Sequence, residues 1–261
     1  MPLRQMHFRI DDTFARSITA RPGGKVGTPV VMLNRLKAAA GVVAALAALA
    51  FTQSPAAHAF GEYPVASPGA YLVSTTLAGN GQPYQCTAGF TVRTPNGSPA
   101  MLTAGHCDRD PVNDTVLQRT PTGDRVVGRY VRWDVLPGVR DVGLVDLAGS
   151  TVPLVSEVDG LRVSRLMDAA ELRATQPQLC KSGARTGLSC GPITNITDNQ
   201  VSFRAWDDLG DSGAPVYARL PDGTVAAVGI LFAHSDDLFG RIVHASLVSP
   251  VMSLWGLSNW G

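Results

Sequence analysis

The sequence predicts an all-β fold, with antiparallel strands forming barrels or sandwiches. Three observations carry that expectation. Beyond residue 60, short apolar or alternating runs recur between Gly, Pro, Asn and Asp, a spacing typical of all-β domains and not of strand–helix–strand units. Turn chemistry separates the runs, as in Pro95-Asn96-Gly97, Pro121-Thr122-Gly123-Asp124 and Pro221-Asp222-Gly223, where Pro pre-sets one backbone angle and Gly supplies the other. Hydrophobic residues make up 45% and charged residues 16% of the 261 positions, enough to bury a sizeable core.

Taken in order, the chain opens on a segment with no place in that fold. Arg35 and Lys37 precede an uncharged apolar run, Ala38 to Phe51, which leads to Ala57-His58-Ala59. A basic stretch, a short apolar stretch and a small-x-small site make a secretory signal peptide. The run falls short of the roughly 20 residues that span a bilayer. Met32 stands where such a signal usually starts, so residues 1–31 are either an over-extended gene start or a long basic leader. The expected mature chain begins near Phe60, is exported, and keeps no stable membrane insertion.

The expected strands follow: one near Tyr71, then Phe90–Arg93, Thr115–Gln118, Val126–Val131 and Val142–Val145. A second series comprises Gln200–Arg204, Ala214–Ala218 and Val225–Phe232. Two helices interrupt it. Asp168 reads as the N-cap of a helix to Thr175, and Pro250 to Leu257 follows Ser249 with Pro at its first position, where a missing N–H does no harm. The first 59 residues hold seven of the 22 Lys/Arg and two of the 21 Asp/Glu, leaving the rest at a net of −4. A mildly acidic body is a poor nucleic-acid binder, because phosphates need a basic stripe.

All four cysteines lie in the exported part, which favours disulfides. Three pairings are possible, and sequence proximity favours Cys86–Cys107 with Cys180–Cys190. Zinc is the alternative, but no C-x-x-C or H-x-x-x-H spacing is present. No metal or cofactor is expected.

After the leader only His106, His234 and His244 remain to act as an imidazole base. His106 lies in Leu102-Thr-Ala-Gly-His-Cys107, beside a cysteine able to tether it. Gly210-Asp211-Ser212-Gly213-Ala214-Pro215 offers a nucleophile. Acyl transfer needs a hydroxyl near a base and backbone N–H groups aimed at the developing oxyanion, and Gly210 permits a backbone that points its N–H alongside that of Ser212. Alone, Gly-Asp-Ser-Gly also reads as a plain turn.

Together, Thr-Ala-Gly-His-Cys and the later Gly-Asp-Ser-Gly resemble the chymotrypsin-like serine peptidases, over roughly Cys86 to the C-terminal helix. The disulfide segment Cys180-Lys-Ser-Gly-Ala-Arg-Thr-Gly187, closed by Cys190-Gly191, is similar to one in the bacterial streptogrisin and α-lytic protease-like branch. The resemblance implies two six-stranded antiparallel β-barrels with a C-terminal helix: residues 60–165 carrying His and Asp, and 166–261 carrying Ser. It implies a catalytic triad of His106, Asp141 and Ser212, in the family's chain order. Asp141 opens the apolar strand Asp141-Val-Gly-Leu-Val, with Asp108, Asp110, Asp134 and Asp146 as rivals and a surface charge as the bland reading. It further implies an oxyanion hole from the Gly210 and Ser212 amides. Asp211 would pair with Lys181, with Arg185 as second choice, and the edge strand Phe232-Ala233-His234 would bind substrate backbone. The expectation is a secreted, monomeric serine endopeptidase acting on peptides or proteins.

Departures from the family pattern are visible. Lys181 replaces the usual Arg, Ala214 the second glycine, and Phe232 a Ser that normally supports the triad carboxylate. The cysteine pair bracing the specificity pocket is missing, leaving Trp206, Asp207 and Asp208 there. His234 is either a partner for an acidic substrate side chain, as in glutamate-specific relatives, or a rim residue facing solvent. Trp206 is placed to narrow the pocket. Two rival functions follow: an α/β-hydrolase esterase, which lacks its fifth-position Gly and its βαβ units, and a catalytically weak or inactive peptidase-like binding domain.

Overall fold

The computed structural model describes residues 66–77, 82–109 and 115–259. The signal-like segment, the cleavage position after Ala59 and Asp110 lie outside the described residues. Seven strands come first: β1 (Tyr71–Leu77), β2 (Pro83–Thr87), β3 (Thr91–Arg93), β4 (Pro99–Thr103), β5 (Thr115–Thr120), β6 (Gly123–Leu136) and β7 (Arg140–Asp146). Then come β8 (Glu157–Val158), β9 (Leu161–Leu166), the helix α1 (Ala169–Thr175), β10 (Leu179–Gly183), β11 (Gly187–Gly191) and β12 (Ile193–Ile196). β13 (Gln200–Arg204), β14 (Pro215–Arg219), β15 (Val225–Asp237), β16 (Gly240–Leu247), the helix α2 (Val248–Trp255) and β17 (Ser258–Asn259) complete the chain.

These strands build two sheets, antiparallel but for one pair, consistent with the all-β, two-barrel fold class. One runs β17-β3-β4-β7-β6-β5-β1-β2 and the other β11-β10-β14-β15-β16-β13-β12. Short pieces extend the expected six-strand plan. β17 returns from the C-terminus to pair with β3. β9 joins β15 in the single parallel pairing and carries β8, so the chain passes to the second sheet between β7 and β8, ahead of residue 166.

Each sheet has its own apolar core, and a third core fills the space between them. That shared core combines Phe90, Leu102, Val142 and Leu144 with Tyr217, Ile230, Met252 and Trp255. Burying side chains of this size contributes roughly 1.5–3 kcal/mol each, which holds the two sheets together. Helix α1 starts as expected, with the Asp168 carboxylate accepting the Glu171 N–H at 2.9 Å. Helix α2 starts at Val248, two residues before Pro250, with Leu247 as its N-cap and no side-chain cap. The correction has a physical cause: Val248, Val251, Met252 and Trp255 form one buried stripe at helical spacing. Pro250 is tolerated in that first turn, whose N–H groups have no helical partner anyway.

Candidate active site

His106 sits in a single 3-10 turn, Gly105–Cys107, just after β4. The turn is bolted to β2 by the Cys86–Cys107 disulfide, and Cys180–Cys190 ties β10 to β11. Cys86, His106 and Cys107 converge closely, but both sulfurs are spent in the disulfide and are not thiolate ligands. Gly105 is needed here, because a Cβ would come within 2.6 Å of Val135 and 3.0 Å of the Asp141 carboxylate.

Asp141, near the start of β7, grips the histidine twice. Its Oδ1 accepts the His106 backbone N–H at 2.9 Å, and its Oδ2 lies 2.6 Å from His106 Nδ1. An ionised carboxylate only accepts, so Nδ1 is the protonated nitrogen and Nε2 is left as a base. Asp141 is itself fixed from the other sheet: its N–H donates to Ser246 Oγ at 2.8 Å. Among the rivals, Asp134, across the hairpin from Val142, is taken by Arg140, and Asp146, at the other end of β7, caps the Ala148 N–H.

Ser212 stands between two backbone devices. Gly210 has φ +106° and Gly213 φ +93°, both in the region that favours glycine. At Gly213 a Cβ would also stand 2.2 Å from Thr87 O and from Thr103 Oγ1. Thr87 clamps this loop to the first sheet. Its N–H donates to Ser212 O at 2.7 Å, and its hydroxyl donates to Gly210 O at 2.8 Å while accepting the Ala184 N–H at 3.0 Å. Among the described residues, neither the Gly210 nor the Ser212 amide donates a hydrogen bond. Ser212 and His106 line one cleft. No hydrogen bond joins Ser212 Oγ to His106 Nε2 among the described residues, a contact that in free enzymes is often long and tightens with substrate.

Asp211 points the other way, into the interior. Lys181 Nζ stands 2.7 Å from its Oδ2, and both side chains have zero exposure. The Arg185 and Thr186 N–H groups donate to Oδ1 at 2.9 and 3.1 Å, and the Thr186 hydroxyl bonds Oδ2. Arg185 therefore contributes its backbone, and Lys181 the charge. Burial pulls Lys181 below the usual ammonium range, with Asp211 opposing that pull.

Phe232, Ala233 and His234 lie on β15, with a bulge between Leu231 and Ala233. Phe232 packs against the cluster holding Ala104 and Cys107. His234 faces neither a free rim nor open solvent alone: its Nδ1 lies 3.0 Å from Asp207 Oδ2. Asp207, 2% exposed, also takes Arg241, whose guanidinium covers the Trp206 ring at 5.0 Å. Trp206 itself is largely exposed. Sequence reasoning missed Thr87, Ser246 and the Asp207–Arg241 pair. A buried-polar signal existed only for Ser246, a lone hydroxyl in the apolar run Ala245-Ser-Leu247.

No protein-family model matches the chain. Among solved structures it is similar to Thermobifida fusca Protease A, at 26% identity and TM-score 0.52 over 74% of this chain and 97% of that one. A Cellulomonas bogoriensis chymotrypsin aligns at 24% and TM-score 0.54, over 74% and 97%. A glutamic acid specific serine protease, described as using a histidine triad in substrate binding, aligns at 22% and TM-score 0.56, over 74% and 100%. The fold is that of the bacterial chymotrypsin-like serine proteases of the α-lytic kind.

Proposed function

We propose that the chain is a secreted serine endopeptidase that cuts peptide bonds through an acyl-enzyme on Ser212. The observation that carries this reading is the 2.6 Å contact of Asp141 with His106 Nδ1, in a cleft whose opposite wall is Ser212. Nε2 of His106 takes the hydroxyl proton as Ser212 Oγ attacks the scissile carbonyl, and Asp141 stabilises the imidazolium that forms. The unpaired amides of Gly210 and Ser212 receive the oxyanion. His106 then gives its proton to the leaving amine, and water repeats the sequence on the acyl-enzyme. The peptide on the acyl side adds its backbone to β15 at Phe232–His234. Two disulfides and a signal-like leader support export. Among the described residues no helix is long and apolar enough to cross a membrane.

A second reading, a peptidase-like binding domain of weak or no activity, draws on one feature. The Asp141 carboxylate takes two donors, both from His106, and Phe232 brings no hydroxyl to it. A fluorophosphonate probe separates the readings. The peptidase reading expects a rapid covalent adduct on Ser212, abolished by Ser212→Ala and slowed at least a hundredfold by His106→Ala. A folded, oxidised protein that stays unlabelled would establish the binding domain instead.

A further inference from the structure

Substrate specificity in such an enzyme is set on both sides of the scissile bond. The cleft at Ser212 measures about 530 Å³ and runs from His106 and Gly210 over Gln85 to Tyr84, Arg109 and Arg185. Phe232, Ala233 and His234, which would hold the acyl side, are not among its walls. The cleft therefore takes the residues that leave. Arg109 and Arg185 are both exposed, and among the described residues the one acidic wall residue is Asp208, whose Oδ1 accepts the Leu209 N–H at 2.8 Å.

We propose that this leaving-side cleft is a carboxylate-binding subsite, so that the enzyme favours Asp or Glu within the first residues after the cut bond. The proposal rests on the peptidase reading above and names its preferred substrate class. The Arg109 guanidinium lies 4.6 Å from the centre of the Tyr84 ring, a stacking that limits its wandering and leaves its N–H edge for a ligand. The Arg185 backbone N–H is committed to Asp211, so its side chain departs from a fixed point on the cleft wall. Guanidinium groups bind carboxylates through paired N–H donors. Gln85 adds a neutral amide, and the described walls carry two arginines against one carboxylate.

The same chemistry is offered by an acidic side chain or by the free C-terminus of a short peptide. The test therefore uses matched peptides with Glu or Gln in the three positions after the cut, each with a free or an amidated C-terminus. The purified protein is expected to cleave the Glu peptides about fivefold better in kcat/KM, with or without the amide. Half-molar salt should shrink that ratio. The Arg109→Gln/Arg185→Gln variant should bring that ratio, taken between Glu and Gln peptides within the variant, close to one. Equal rates for Glu and Gln, or a ratio retained in the double variant, overturn the proposal. A gain seen only with free C-termini assigns the site to chain ends and overturns it too. Binding of the same peptides to Ser212→Ala gives an independent readout. If nothing is cleaved, the peptidase reading fails, while a Glu-over-Gln binding ratio near five would still uphold the subsite and a ratio of one would remove it.

Discussion

Replacing Lys181 by Met removes the ammonium paired with Asp211 while keeping the length and bulk of the side chain. Both partners are fully buried and 2.7 Å apart, so the change leaves an uncompensated carboxylate in the interior. Breaking such a pair costs about 3–5 kcal/mol. The lower end applies here, because the Arg185, Thr186 and Asp208 N–H groups and the Thr186 hydroxyl still donate to the anion. About 3 kcal/mol corresponds to a fall in Tm of roughly 6–12 °C for a domain of this size. Activity should fall further than stability explains. Asp211 lies between Gly210 and Ser212, whose amides receive the oxyanion in the proposed mechanism, and a displacement of about 1 Å at such a site costs on the order of a hundredfold. Thermal unfolding at pH 7 and kcat/KM on one peptide measure both. Removing the carboxylate as well, in Lys181→Met/Asp211→Asn, should recover at least half of the lost stability, because no unpaired charge then remains buried. A Tm within 2 °C of the parent with unchanged kcat/KM would refute the reasoning and assign Asp211 to its amide donors alone.

Three further outcomes are expected. Ser246→Ala leaves the buried Asp141 N–H without its acceptor, which should cost about 1–3 kcal/mol and lower kcat severalfold with little change in KM; an unchanged kcat would separate Ser246 from the site. Cys86→Ser opens a loop spanning 21 residues and should cost about 3 kcal/mol in the chain-entropy model, read as a Tm drop smaller than the one reducing agent causes in the parent protein, where Cys180–Cys190 opens as well; an unchanged Tm would refute it. His244 bridges Ser202 and Ser235 through its two ring nitrogens, and burial, then His234, hold its pKa below the usual value. The unfolded chain thus binds the proton first, so stability is intact above about pH 6.5 and declines as pH falls below it, by less than about 1 kcal/mol for a partly exposed ring. A His244→Asn variant should lack that part of the acid-side decline in a pH series of unfolding curves; parallel curves would exclude His244 as its source.

What the sequence made legible was short-range. Gly-His-Cys and Gly-Asp-Ser-Gly can be read because the needs they meet, a tethered turn and positive φ at Gly210 and Gly213, are met by neighbours in the chain. The strands were legible through their alternation, and α1 through its Asp168 cap. The start of α2 was misplaced because a local Pro signal was weighed above a buried stripe whose partners lie in both sheets. Thr87 was invisible for the same reason. Its role depends on Ser212 and Gly210, more than 120 residues away in sequence, and a threonine after a cysteine carries no mark of that. Asp207 could be placed near the pocket from its motif position, but its partner Arg241 appears only when β16 is laid beside the loop before Ser212. The physical division is plain. Residues whose chemistry is completed by their own turn announce themselves, and residues that act across the crevice between the sheets do not. Arg109 and Arg185 belong to the second kind: they come from loops 76 positions apart, and only folding gives them a common wall. The charge that would select a substrate is therefore a property of the assembled cleft.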